Sequence, residues 1–574
     1  MKIKDIIPVA LGKEVPDILL TNLKLLNIFS GKTEETSIAL HKKRIAGIGN
    51  YSEGKEIIDL KGQYVLPGFI DAHLHIESSM LSPRRFAELV LPSGTTTVIA
   101  DPHEIANVIG IDGLDYMIKS TEGIPLNVYI AVPSAVPSTN LETSGARLGP
   151  EDIIGFIDNH PRRVISLGEV MNFPGVLNLD PELLTKIEIL RHKYKKIDGH
   201  APFVTGKELN AYINAFIKSD HECTTVEEAL EKVSRGMQIF IREGTAAKNF
   251  NELIKAVNIN NHQFFSFCTD DKDPKDILSE GHINYMVKKS VEYGLDPLVA
   301  VRMATINTAK YFNLRSMGAV APGYKADMVV VDNLKDFNIN TVIKDSKIVV
   351  ENGKLLSEVK GFYNEMPSKI GNVILPDFSE KTLEIKVKGK KIRVITLEEG
   401  SIITKEKIEY PKISGGIAVS APERDIIKVA VIERHKGSHF SLGFAQGLGI
   451  KSGAIGTSIG HDSHNLGIAG TNDKDMIIAA KKLQEMNGGL VIVKNEKILW
   501  YLELPIGGLM SDRKPEYVVD ILSQQKDALN AIGCKKDIFM TLAFIQLPVI
   551  PEIKITDLGI IDVAKQKIVD LFTE

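Results

Sequence analysis

Eight apolar, strand-like runs are spaced through residues 64–271, and each ends in polar or glycine-containing sequence. They read YVLPGFIDAH, TTTVIADPH, LNVYIAVPS, RVISLGEVM, KKIDGHAP, AFIKSDHE, QIFIREG and HQFFSFCTDD. Strands that read as continuous apolar runs, without alternation, are those of a parallel sheet covered on both faces. Helix-compatible segments such as SPRRFAELVLPSG and TVEEALEKVSRG separate most of them. Eight such β-then-α units over roughly 250 residues are what a (β/α)8 barrel of the TIM type requires. The barrel is expected over residues 66–312, and KKIDGHAP and AFIKSDHE are its shortest apolar runs.

The flanks read differently. Residues 1–65 are strand-rich, with short extended runs broken by Ser-Gly and Gly-Asn turns. Residues 313–368, including GAVAPGYKADMVVVD and SKIVVENGKLL, are again strand and turn. The two flanks are expected to pair into one small β-sandwich domain. Residues 369–574 hold strands such as KIRVITL, DIIKVAVIERH and GLVIVKNEKILWYLELP, and helices over DKDMIIAAKKLQEMNG and KPEYVVDILSQQKDALNAIG. About 200 residues suffice for an independent α/β or α+β domain.

Composition narrows the function. Among 574 residues, 69 Lys+Arg face 73 Asp+Glu, a net charge of −4, so the chain carries no basic field for nucleic acid. Three cysteines without a CxxC cannot make a disulfide framework, which fits a reducing cytoplasm. No apolar run reaches the ~18–20 residues of a membrane helix, and no signal peptide is read at the N-terminus. A small-molecule substrate, no membrane partner and, by default, a symmetric homodimer are expected.

Catalytic residues of a barrel sit where strands end. Reading only those ends yields His73-Leu74-His75, Gly168-Glu169, Gly199-His200, Asp220-His221-Glu222 and Thr269-Asp270-Asp271. In His73-x-His75 the two imidazoles share one side of a strand. Imidazole and carboxylate ligands suit Zn²⁺, Mn²⁺ or Fe²⁺ rather than Ca²⁺. Six ligands, His73, His75, Glu169, His200, His221 and Asp270, suit two divalent ions with Glu169 central enough to bridge. Each residue alone has an ordinary explanation, such as a polar loop or a helix cap. Their convergence on one rim favours the metal site.

These residues resemble the amidohydrolase superfamily. PGFIDAHLH (67–75), the strand-end histidines 200 and 221, Asp270 and the tail MATINTAKYFNL…GAVAPGYKADMVVVD (303–332) carry the resemblance. Within it, HLHIESSM, ADPHEIANV, GEVMNFPGV, DGHAP, SDHECT, TDDK and GHDSHN (460–465) are similar to the adenine deaminase family. Many superfamily members bridge their metals with a carboxylated lysine on strand 4. Here that strand offers Glu169 and no nearby lysine, as the adenine deaminase resemblance implies.

The resemblance implies hydrolytic deamination of adenine to hypoxanthine and ammonia in purine salvage, with two divalent ions, Mn²⁺ before Fe²⁺ or Zn²⁺. His73 and His75 would hold one ion, His200 and His221 the other, with Glu169 between them and Asp270 accepting the proton of water. Glu77, Glu104, Asp271 and His103 are the candidates for moving protons to N1 and the amine. Glu77 reads equally as a first-turn helix carboxylate, and His103-Glu104 as a helix start. Ser134 in PSAVPST could line the base pocket or simply turn the chain. Glu243 could bind the substrate edge or form a structural salt bridge. In the last block, His435/His439 and His461/His464 lie in glycine-rich sequence that favours polar loops over a second metal site, with a wall of the barrel mouth as a further reading. The rival functions are another amidohydrolase, acting on a different nucleobase or a cyclic amide, and a non-catalytic scaffold.

Overall fold

The structure, a computed structural model, describes residues 3–357, 359, 367, 369–398 and 403–574. The expected domain boundary at residue 368 lies outside them. Eight parallel strands form the centre. They are β1 (Phe69–Leu74), β2 (Thr95–Ala100), β3 (Asn127–Val132), β4 (Val164–Val170), β5 (Lys196–Gly199), β6 (Ser219–Asp220), β7 (Gln238–Arg242) and β8 (Phe265–Cys268). The first five pair as one ladder and the last three as another. Hydrogen bonds cross both seams. Lys218 N donates to Ile197 O at 3.2 Å between β5 and β6, and Asp270 N donates to His73 O at 3.0 Å between β8 and β1. The strands thus curl into a TIM-like barrel. β2 and β8 are wholly buried, as two-sided coverage demands.

Two features of the sequence reading are corrected by the strand limits. YVLPGFIDAH is not one strand. A long flanking strand, Glu56–Pro67, ends in YVLP and pairs with Met328–Val331, and β1 begins only at Phe69. Gly68 makes the turn between them, where a Cβ would meet Thr96 Oγ1 at 2.2 Å. The N-terminal flank also opens with a helix, Ile3–Ala10, ahead of its strands.

Strands from residues 18–67 and 328–355 hydrogen-bond into one continuous eight-stranded sheet rather than two facing ones. The junction is the antiparallel pairing of Val330 with Val65. Register shifts, as at Leu20/Leu23, let the sheet curl over a shared core of Leu20, Ile38, Leu40, Val65, Met328 and Ile343. The last block is built on a nine-stranded, mainly antiparallel sheet with helices Asp473–Met486 and Pro515–Ala531. It docks on the loop after β1. Ser82 N donates to Ser511 O, and Ser511 N to Met80 O, each at 2.8 Å. Ser82 Oγ and the guanidinium of Arg84 both bond the Asp512 carboxylate. The rim of the barrel therefore faces the last block instead of solvent.

Candidate metal centre at the barrel mouth

The floor of the site is apolar. Ile99, Phe240 and Cys268 are buried in one cluster, and each stands two residues before a polar rim residue, Asp101, Arg242 and Asp270. Period-two alternation puts each pair on the same side of its strand. Asp71 on β1 accepts from Thr269 Oγ1 at 2.6 Å and Thr269 N at 3.2 Å, which ties β1 to β8 and sets His73 beside Asp270.

The rim residues converge. Asp270 Oδ1 lies 3.0 Å from His75 Nε2 and 3.4 Å from His73 Nε2. Glu169 Oε2 lies 2.6 Å from His200 Nδ1 and 3.1 Å from His221 Nε2, while its Oε1 lies 3.6 Å from His75 Nε2. Glu169 thus stands between the two histidine pairs. Ligand atoms of His73, His75 and Glu169 lie within 4.8 Å of one another, as do those of Glu169, His200 and His221. His75 Nδ1 sits 2.8 Å from the Asp101 carbonyl, a donor's position that leaves Nε2 with its lone pair toward the centre. Among the described residues, the Nε2 atoms of His73 and His221 are buried with no well-aligned hydrogen-bond partner, only carboxylate oxygens at 3.4 and 3.1 Å. Buried polar atoms seldom lack partners. Two orphaned imidazole nitrogens facing carboxylates are what divalent cations would satisfy, so these residues fit the expected metal.

Charge is balanced locally. Burial alone would push Asp270 up, but the Arg242 guanidinium, 2.6 Å from Oδ2, and the two histidines hold it well below the ordinary carboxylate range. Glu169 is held down against burial in the same way by His200 and His221. Glu77, buried and accepting from Ile105 N at 3.3 Å, is pushed up to about 7 by burial. Asp271 bonds the Ser78 hydroxyl.

Two expected residues sit elsewhere. Ser134 Oγ donates to the Glu169 carbonyl at 2.6 Å, so it braces the end of β4 and is not part of the cavity wall. Glu243 forms ion pairs with Lys289 at 2.9 Å and Lys248 at 3.8 Å, the structural reading of that residue. Its neighbour Arg242 turns to the site and bonds both Glu222 and Asp270, a role the sequence reading did not assign. Asp101 was also unassigned. Its Oδ2 accepts from Glu169 N at 3.0 Å.

A cavity of about 470 Å³ opens over the rim, within the range of small-molecule sites. Glu77, Ser78, Glu104 and Asp271 line it from the barrel, and Ile459, His461, His464 and Phe544 from the last block. His461 and His464 both contact the Glu104 carboxylate. The polar-loop reading is therefore replaced for this pair by the pocket-wall reading. His435 and His439 stay outside, bonded to the Ser463 carbonyl and to Asp557.

Comparison with known proteins places this geometry. The amidohydrolase family model matches residues 64–349, and the adenine deaminase C-terminal domain model matches residues 401–567. The chain is 62% identical to an adenine deaminase of Thermosipho africanus over the whole of both chains. The chain belongs to the adenine deaminase family. Identity is 56% to an adenine deaminase of Kosmotoga olearia, across all of this chain and 99% of that one, and 43% to one of Methanothrix thermoacetophila across all of both. Among solved structures, a β-aspartyl dipeptidase of Fervidobacterium islandicum is similar at 18% identity and TM-score 0.45, covering 59% of this chain and 97% of that one. The residues matched by the adenine deaminase C-terminal model include His461 and His464, so the second wall of the pocket lies within the block that marks this family.

Proposed function

We propose that the chain is a metal-dependent hydrolase that deaminates adenine to hypoxanthine and ammonia in purine salvage. The observation that carries the reading is the full-length identity of 62% to an adenine deaminase, joined to a histidine–carboxylate cluster beside a cavity of small-molecule size. His73 and His75 would hold one divalent ion and His200 and His221 a second, with Glu169 shared, and Mn²⁺ is the first candidate. When bound, such ions lower the pKa of water to about 7 and so supply an activated nucleophile at neutral pH.

The chain's own groups do the rest. Asp270, kept ionised by Arg242, accepts the proton of the attacking water. Glu77, near neutrality and on the cavity wall, is suited to hold a proton for N1 of the ring as negative charge builds there. Asp271 and Glu104 frame the same wall. The apolar faces of Ile459 and Phe544 exclude water and suit a flat purine. The balanced net charge of −4 supports a free base over a polynucleotide as substrate. Cytoplasmic location and a homodimer complete the proposal.

The test is ammonia release from free adenine by Mn²⁺-loaded protein beside an Asp270→Asn control. Release that the control abolishes supports the assignment. A folded, metal-loaded protein that releases none refutes it and redirects the search to guanine, cytosine and cyclic amides.

A further inference from the structure

Glu104 is surrounded by three imidazoles from two parts of the chain. His103 Nε2 lies 3.4 Å from Oε1, His461 Nδ1 lies 3.2 Å from the same oxygen, and His464 Nε2 contacts Oε2. The three histidines do not do the same thing. His103 points back to the metal cluster, with Nδ1 3.7 Å from Glu169 Oε1. His464 is 1% exposed and folded into its own loop, where Nδ1 accepts from Gly460 N at 3.2 Å. His461 is fixed on two sides and, unlike His103, lines the cavity. Its Nδ1 is held by Glu104, and its ring is stacked on Phe544 with centroids 4.6 Å apart at 14°. Among the described residues its Nε2 is buried without a hydrogen-bond partner, and the residue lines the cavity together with Glu77 and Asp271.

An imidazole with one nitrogen on a carboxylate and the other unpartnered, in a residue that borders a pocket, is placed to pass a proton. We propose that His461, supplied by the last block, is a catalytic residue of the barrel reaction and gives the proton that lets the C6 amino group depart. This rests on the adenine reading above. Burial would discharge the ring, but Glu104 and Asp462 hold it well above the ordinary imidazole range, so it is charged and ready to donate.

The step balances with water as the sole co-reactant. Once water has added, C6 carries a hydroxyl and the amino group. The His461 Nε2 proton passes to the amino nitrogen, the C6–N bond breaks with its electron pair going to nitrogen, and ammonia leaves. The hydroxyl gives up its proton as the C6 carbonyl of hypoxanthine forms. That proton passes to the rim carboxylates and recharges His461. Glu104, which touches His461 and not the reacting atoms, is a positioning residue.

The test exploits a leaving group that needs no proton. His461→Asn keeps a donor where Nδ1 meets Glu104 and removes Nε2. With adenine its kcat is expected to fall 10²- to 10⁴-fold, the range of general acid catalysis. With 6-chloropurine, which expels chloride, it is expected to fall less than tenfold, with metal content unchanged. An equal loss on both substrates, or no loss on adenine, overturns the assignment. Where that variant fails to fold or wild type does not accept the chloride, His461→Gly with added imidazole decides. Restored adenine turnover supports the role, and no restoration refutes it. Wild-type inactivity toward adenine would instead bring down the reading of the reaction, and this proposal with it.

Discussion

Lys232 offers a quantitative test of how the second half of the metal cluster is held. Its ammonium is 0% exposed and makes three contacts: Asp220 Oδ2 at 3.0 Å, Glu228 Oε1 at 2.7 Å and the Ala201 carbonyl at 2.7 Å. Asp220 in turn accepts from Ala201 N at 2.8 Å, so the two residues flanked by this network, His200 and His221, take their positions from it. At an effective dielectric constant of about 20, unit charges at this separation attract by about 5 to 6 kcal/mol. Lys232→Met deletes that attraction and leaves Asp220 buried without its cation. Breaking a buried pair from one side costs about 3–5 kcal/mol. For a domain of barrel size, each kcal/mol moves the thermal midpoint by about 2–4 °C, so a fall of roughly 6–20 °C is expected. Calorimetry on the metal-free full chain reads this, and metal titration reads the accompanying loss of affinity at the Glu169–His200–His221 group. Adding Asp220→Asn to Lys232→Met removes the orphaned charge and should recover at least about 2 kcal/mol. A single variant within about 1 kcal/mol of wild type, or a double variant no better than the single, would refute the reasoning.

Other perturbations report on the same arrangement. Glu169→Gln is expected to lose metal and activity together, and a variant that keeps two metals and full turnover removes Glu169 from the shared position. Gly168→Ala would put a Cβ 2.1 Å from Asp101 Oδ2, the atom that holds the Glu169 backbone, so metal content measured by elemental analysis should fall sharply. Glu142 is pushed up to about 7 by burial, with Asp462 adding to the effect. Its neutral form is the one the fold prefers, so below the unfolded value of about 4.3 the group is protonated in both states and costs nothing. As pH rises from there to about 7 the unfolded chain ionises first and stability drains away, by about 4 kcal/mol in all. Glu142→Gln should therefore flatten the fall in thermal midpoint between pH 4.5 and 8, and an unchanged slope would exclude this group as its source.

Much of the barrel is legible in the sequence because two-sided burial leaves a plain signal. β2, β3, β4 and β8 are continuous apolar runs and appear where such runs do. β6 is only Ser219–Asp220, too short for any periodicity, which is why AFIKSDHE is one of the two shortest apolar runs in the sequence. Arg242 was overlooked beside Glu243 for a related reason. Side chains alternate along a strand, and a one-residue uncertainty in where β7 ends exchanges the inward residue for the outward one. His461 and His464 illustrate a different barrier. Their glycine-rich surroundings correctly suggest loops, but their partner Glu104 lies on the far side of most of the chain, and no local pattern encodes that meeting.

The pocket that joins the two parts has a consequence for the life of the molecule. Domains fold in order as the chain is synthesised, N-terminal parts first. The barrel is complete in sequence well before residue 461 exists, so a nascent or prematurely terminated chain has the metal ligands but only one wall of the pocket. Its Glu104 faces open water, with neither His461 nor His464 beside it. The cavity gains its second wall only when the last fifth of the polypeptide arrives.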